Sequence, residues 1–485
     1  MRRKTNKPLA LGAVVLAMAA ASGVRGADEK REVGARLDVD AVVTATTPPA
    51  GPHREDPVLF DVAVDDRAVH RLDVHVDAPD PKHPPEIDVE IRATGGEKAS
   101  LYQYHGNVGL VDYLYFPVLD RGSYRVGVKG RPSIRFTLKL TRPKIELTDA
   151  DRSGASAAIE RGTALLASKK PADYRDVNDK GAAEALVMAA LQADRSGKYR
   201  ETIGRDYVAW LKQQSKAVGA VQSGDRPLML LAAAHSSDKK MYTHAIATMA
   251  LAESAAEVPA ARELAAEGAR LLVVSQLTDH RPAPWKRVDP TERAFGGWRY
   301  EPGSTDADIS VTGWCLIALN ACSTAGIDPP GTREAMDRGM DYVRRCQHKK
   351  GFSYRAEAGD PGSIRDAIGS LLCTLDGSGT STVDDACDQL DRELFGGTQV
   401  ERSDDYPLYY AYYATRLNYL RGGFAWEAWR VTAIRQLLKL QHADGSWPSY
   451  DAETGERYGT ALSVLILRMC LNDVPDYLKQ QAKGF

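Results

Sequence analysis

Three titratable side chains recur at one position of a repeated pattern in this sequence. Glu184, His244 and Asp366 each stand just before a small residue followed by an apolar one: Ala185-Leu186, Ala245-Ile246 and Ala367-Ile368. The same anchor returns as Gly313-Trp314, Ala414-Thr415 and Ala461-Leu462, preceded by Thr312, Tyr413 and Thr460. Six polar or amphipathic residues thus occupy one level of otherwise apolar helical runs. Two carboxyls and an imidazole are the groups that general acid–base chemistry uses, and a partly dry site would shift their proton affinities. The expectation is a ring at one end of a central cavity, with Glu184, His244 and Asp366 as acid/base candidates. The competing expectation is that these residues hydrogen-bond neighbouring backbone near the helix starts.

A second group is aromatic. Tyr406, Tyr409, Tyr410 and Tyr413 recur at helical spacings, with Tyr412 and Tyr419 beside them, and Tyr458 opens the last apolar run. Tyrosine stacks on sugar rings or offers a π face to a cation while its hydroxyl stays wet. Thr312, Tyr410, Tyr413, Tyr458 and Thr460 are therefore the candidate ligand contacts. Core packing against the next hairpin is the alternative for the tyrosines.

The elements that would position these residues are helices in pairs. Residues 429–441 space apolar side chains for one covered face and end at Gly445, whereas the run from Tyr458 is apolar on all sides and must be surrounded by protein. Outer helices of the first kind end in Gln213, Gln276, Gln347 and Gln441, with Gly268 and Gly339 each eight residues before their glutamine. Turns rich in glycine and aromatics follow three of them: GGWRY, GFSY and GSW. Repeats of this kind bury their faces only against each other.

The Gln-x-x-x-Gly-x-Trp spacing at Gln441, Gly445 and Trp447 resembles the signature of the squalene cyclase and prenyltransferase repeat superfamily, here in an exported bacterial form, over residues 150–475. The resemblance implies a terpenoid-cyclase-like closure: a mostly α fold, with six hairpins in an α/α toroid. Class II terpene cyclases carry Asp-x-Asp-Asp-Thr-Ala, whose middle acid protonates an alkene. The matching stretch is DADISVTGW. Matched from its first acid, it offers Asp306 and Asp308; matched by helix register, it puts Ser310 and Val311 in the acid positions. The second register agrees with the other five helices, so cyclase chemistry is not expected. Protein prenyltransferases of this fold bind zinc through Asp-x-Cys and a distant His. Asp385, Cys387 and His442 copy that order but fall on outer-helix positions, so neither metal nor cofactor is expected. The thioester sequence of complement-like toroids is absent.

Before the helices the period changes to two. Leu72, Val74 and Val76, then Ile87, Val89 and Ile91, then Tyr124, Val126 and Val128, and finally Ile134, Phe136, Leu138 and Leu140 alternate with polar residues. This predicts a small antiparallel β-sandwich over 55–143. Its closing hairpin resembles a prepeptidase-C-type accessory domain. Arg2, Arg3, Lys4 and Lys7 precede an apolar run to Ala21 that is too short for a comfortable span, which reads as a signal peptide over 1–26. Residues 27–54 read as a disordered leader. A 43% hydrophobic, 26% charged chain of net charge -2 shows no bias toward nucleic acid. All six cysteines lie between Cys315 and Cys470, mostly in apolar runs, as buried thiols or as disulfides the sequence does not pair.

The expectation is an exported protein, periplasmic or extracellular, without a stable membrane span. Its toroid would bind a hydrophobic isoprenoid or a glycan in a central cavity. The alternative is an enzyme, terpene-cyclase-like or polysaccharide-acting, using the cavity-mouth carboxylates and histidine.

Overall fold

The structure, a computed structural model, describes residues 36–49, 56–66, 68–76, 86–94, 102–107, 113–115, 118–119, 121–130, 132–142, 145–171, 180–223, 226–231, 239–348, 351–394, 407–448 and 455–481. The expected signal peptide and Tyr406 lie outside these residues. Two compact units divide the chain: residues 1–145 with 391–399, and residues 146–390 with 400–485. No helix among the described residues is long and apolar enough to cross a membrane.

Among the described residues the first unit contains ten strands: β1 (Val42–Thr46), β2 (Val58–Val64), β3 (Ala68–Val69), β4 (Arg71–Val76), β5 (Glu86–Ala93), β6 (Tyr102–Asn107), β7 (Tyr113–Tyr115), β8 (Val118–Leu119), β9 (Gly122–Gly130) and β10 (Arg135–Thr141). They form two antiparallel four-stranded sheets, in orders β1-β10-β4-β7 and β2-β9-β5-β6, and a small β3-β8 pair. Alternation puts Leu72, Val74 and Val76 of β4 and Phe136, Leu138 and Leu140 of β10 on buried faces. These residues join Phe60, Val62, Ile87, Val89 and Val126 in one apolar cluster, where Phe60 and Phe136 meet edge to face at 6.3 Å. The leader reading needs correction here. Residues 42–46 are strand β1, paired with β10 so that Val43 faces Leu138. Flanking prolines and polar residues had hidden a five-residue strand.

The second unit is mostly helical: α1 (Asp149–Ala167), α2 (Lys180–Gln192), α3 (residues 200–214, π-helical over Ile203–Val208), α4 (Lys240–Ser254), α5 (Pro259–Ser275), α6 (Ile309–Thr324), α7 (Thr332–Arg345), α8 (Ser363–Leu375), α9 (Ser381–Leu394), α10 (Pro407–Arg421), α11 (Gly423–Leu440), α12 (Gly455–Cys470) and α13 (Asp476–Gln481). Helix α2 packs on α4, α4 on α6, α6 on α8, α8 on α10, α10 on α12, and α12 on α2, closing a circuit. Around it, α5 covers α4 and α6, α7 covers α6 and α8, and α11 covers α10 and α12. Helix α1 meets α2, α11 and α12. The sequence dictates these roles. Every residue of α6 from Ile309 to Leu319 is buried, whereas α7 buries one stripe that includes Ala335, Gly339, Met340 and Val343.

The unit is not wholly helical. Lys216–Ser223 pairs with Arg226–Leu230, and a three-stranded ladder runs over Gln347–His348, Gly351–Arg355 and Ala358–Pro361. These connections carry buried Leu228, Leu231 and Phe352. Pairing their own backbone groups lets them enter apolar surroundings. All six cysteines are buried free thiols.

Candidate functional site

The glutamines and tryptophans build a repeated clasp between neighbouring hairpins. Gln441 Nε2 donates to the carbonyls of Gly445 (3.1 Å) and Ala158 (2.9 Å), and its Oε1 accepts from Arg161. Trp447 Nε1 donates to the Leu437 carbonyl at 2.8 Å. Gln276 repeats this: Nε2 donates to the carbonyls of Gly296 (2.7 Å) and Ala335 (2.8 Å), and Oε1 accepts from Arg338 Nε (2.9 Å). Trp298 Nε1 donates to the Leu272 carbonyl at 2.8 Å. The outer-helix half of the clasp is Ala-x-x-Arg-Gly, at Ala158-Arg161-Gly162 and at Ala335-Arg338-Gly339. Sequence reasoning missed it, although the pattern occurs twice. A Cβ on Gly162 would lie 2.7 Å from Trp447 Cζ3, and one on Gly339 would lie 3.0 Å from Trp298 Cζ3. Only glycine admits the indole.

The six-residue level identified in the inner helices serves this wall. Trp298 N–H donates to Thr312 Oγ1 (3.1 Å), Trp447 N–H to Thr460 Oγ1 (3.1 Å), Phe352 N–H to Asp366 Oδ1 (2.7 Å) and Leu231 N–H to His244 Nδ1 (3.0 Å). Four equivalent positions thus accept the backbone N–H of the incoming loop. Because His244 Nδ1 accepts, its Nε2 carries the proton and donates to the Gly268 carbonyl at 3.0 Å. Burial holds the imidazole down at about 4, so it is neutral. Glu184 meets Arg457 in a bidentate pair, at 2.8 and 2.6 Å, and Arg457 also donates to the Leu166 carbonyl and Tyr207 hydroxyl. Glu184, His244 and Asp366 are therefore not gathered at a cavity mouth. A buried polar side chain must find a partner, and the partners available lie in the wall.

Asp306 and Asp308 sit apart from that level, around Arg299. Asp308 caps α6, with Oδ1 accepting from Val311 N–H (2.8 Å) and Oδ2 from Arg299 Nη1 (2.7 Å). Burial pushes its carboxyl up to about 6, against the pull of those donors. Arg299 also donates to the Tyr354 hydroxyl (3.0 Å) and lies 4.1 Å over the Tyr300 ring. The half-exposed Asp306 pairs with Arg355 at 2.9 Å. Both acids are engaged with arginines.

Aromatic side chains fill the middle of the helical circuit. Trp314 of α6 packs 5.3 Å from Tyr412 and 5.5 Å from Tyr413, and donates from Nε1 to the Tyr409 hydroxyl at 2.9 Å. The Tyr412 hydroxyl reaches Met249 Sδ of α4 at 3.7 Å. Trp314, Tyr412 and Tyr413 are wholly buried. Tyr410 packs its edge on Trp429 of α11, and Tyr458 is half-buried in the first turn of α12. The tyrosine stripe is mainly core, because an apolar circuit this wide needs large side chains to fill it.

Among the described residues, open space lies at the C-terminal ends of the inner helices. A cavity of ≈ 440 Å³ is lined by Gln192 of α2, Glu253 of α4, Thr324 of α6, Arg416 of α10, Met469 of α12 and Tyr477 of α13, among others. Arg416 is buried, with Nε donating to the Tyr477 hydroxyl (3.0 Å), Nη1 to the Tyr412 carbonyl (3.2 Å) and the guanidinium 3.4 Å from the Tyr412 ring centre. Its Nη2 makes no hydrogen bond among the described residues. Glu253 Oε1 and Gln192 Oε1 are buried without a hydrogen-bond partner. Burial pushes the Glu253 carboxyl up to about 7, against the pull of Arg416 and Arg195. Sequence reasoning missed these three residues. Polar groups at helix ends read as solvated caps, and only the ring closure brings them together.

No protein-family model matches the sequence, and no curated protein matches it. Among solved structures, the chain is similar to a family 76 glycoside hydrolase from a bovine Bacteroides thetaiotaomicron strain, at 11% identity and TM-score 0.47, over 87% of this chain and 97% of that one. It is also similar to the type II terpene cyclase MstE from Scytonema, at 16% identity and TM-score 0.41, over 67% of this chain and 99% of that one. A pre-peptidase C-terminal domain of a Bacillus anthracis collagenase matches at 9% identity and TM-score 0.19, over 23% of this chain and 100% of that one.

Proposed function

We propose that this is an exported ligand-binding repeat protein, in which a six-hairpin α/α toroid follows a β-sandwich and holds a small polar molecule at the C-terminal ends of its inner helices. The observation that carries the reading is a contrast in partners. Each acid or base named for catalysis already has a hydrogen-bond or ionic partner, whereas Arg416, Glu253 and Gln192 face a cavity with hydrogen-bonding capacity left over. Buried polar groups without partners are costly, and a ligand that supplies the partners recovers that cost. The aromatic packing around Trp314 favours a small ligand over an isoprenoid threaded through the ring.

Native mass spectrometry of the protein purified from its own exported compartment tests the reading. The expected result is a discrete adduct that is lost on denaturation and absent from an Arg416→Met variant. An apo mass, with no thermal shift from any small polar compound, would overturn it. One arrangement favours an enzyme instead: Asp308 is buried between Arg299 and the start of α6, where burial pushes its carboxyl up. Turnover of a glycan that disappears in Asp308→Asn but persists in Asp306→Asn would establish that alternative.

A further inference from the structure

We infer that the cavity at the C-terminal ends of the inner helices is built for a small zwitterion, with a carboxylate against Arg416 and an ammonium between Glu253 and Gln192. This inference rests on the binding reading above and names the ligand's chemical class.

The groups with bonding capacity left over stand on different helices of the circuit, in a cavity that Glu257, Asp473 and Asp476 also line. On α10, the Arg416 guanidinium is fixed by three independent contacts: the Tyr477 hydroxyl, the Tyr412 carbonyl and the face of the Tyr412 ring. A guanidinium held this way is preorganised, and its spare Nη2 presents donors suited to a planar carboxylate. On α2 and α4, the unsatisfied atoms are both acceptors, Gln192 Oε1 and Glu253 Oε1. Helices α2 and α4 pack against each other, so the two acceptors come from neighbouring helices, whereas Arg416 comes from α10, which is not next to α4 in the circuit and meets it across the middle through Tyr412 and Met249. Among the described residues, Arg416 and Glu253 form no direct ion pair, although each feels the other's charge.

A cation and a carboxyl facing one cavity without touching leave two separate demands. The ligand must bring an acceptor to Arg416 and a donor to the opposite wall. A hydroxyl would satisfy hydrogen bonding at Glu253; an ammonium does so and also favours the ionised carboxylate that burial opposes, and its three donors reach two acceptors with one to spare. The nearby Arg195 does not fill this role, because its Nη2 is committed to Asp476 Oδ1 (3.0 Å) and the Val474 carbonyl (2.9 Å). Arg262 is likewise committed to the carbonyls of Ala325 and Gly326, at 2.8 and 2.7 Å.

Isothermal titration calorimetry on the full chain tests this with ω-amino carboxylates from glycine to 6-aminohexanoate, beside the fatty carboxylate and the alkylamine of each length. The expected result is one chain length at which the zwitterion binds at least about tenfold more tightly than either single-charge analogue. In Glu253→Gln, which keeps shape and removes charge, its affinity should fall to that of the carboxylate. A carboxylate that binds wild type as tightly as any zwitterion, or an unchanged zwitterion affinity in Glu253→Gln, would overturn the inference while leaving the binding reading intact. Binding of none of these probes, together with an apo mass by native spectrometry, would overturn both.

Discussion

His244 shows how one side chain can be read correctly for position and wrongly for role. Its ring accepts from Leu231 and donates to Gly268, which only the neutral form can do. An unfolded histidine binds a proton below about 6.5, but the folded one resists until about 4, so stability present above pH 6.5 is lost as pH falls through that window. The loss should reach about 3 kcal/mol by pH 4. Urea titrations from pH 7 to 4 should show this extra slope in the wild type and not in His244→Asn; equal slopes would contradict the tautomer assigned here. The Glu184–Arg457 pair behaves differently. Arg457→Met strands a buried carboxylate and should cost about 3–5 kcal/mol. Adding Glu184→Met should recover more than half of that, because the expense lies in the stranded charge. A double variant as unstable as the single one would mean that Arg457 acts through Leu166 and Tyr207 instead.

For single elements, the sequence was most legible where periodicity alone decides. Wholly apolar runs gave the inner helices, and one-sided runs gave α7 and its like. The recurrent small residue also found equivalent positions, since four of those six accept the same loop N–H. Direction was the part that could not be read. A polar residue at a given level of an inner helix points equally well into the lumen or sideways into the wall, and what settles it is a partner from another element, 13 residues away for His244 and 273 for Glu184. The short ladders at 216–230 and 347–361 escaped for a related reason, being loops whose pairing is imposed by burial rather than by their own alternation. The glycines of the Arg-Gly clasp make the element argument testable. In an open helix Gly→Ala would gain up to about 1 kcal/mol. At Gly339 the new methyl would sit 2.7 Å from Leu316 Cδ2 as well as against Trp298, and overpacking of this kind costs about 1–3 kcal/mol. Gly339→Ala should therefore lower the urea midpoint, and so should Gly162→Ala; a rise in both would show that the indole has room to move.

Taken over the whole helical unit, what matters is that the circuit closes through its extremes. Gln441 holds Ala158, Arg435 pairs with Asp151 at 2.9 Å, and Gly162 receives Trp447. The Gln441–Ala158 bond joins residues 283 positions apart. Time during synthesis follows from that separation. A ribosome adds about 5–20 residues per second, so α1 is complete on the order of tens of seconds before its partner exists. Throughout that interval α1 has α2 to meet but not α11 or α12, and the growing chain depends on whatever escorts it from the ribosome to keep the rest of that stripe from a stranger.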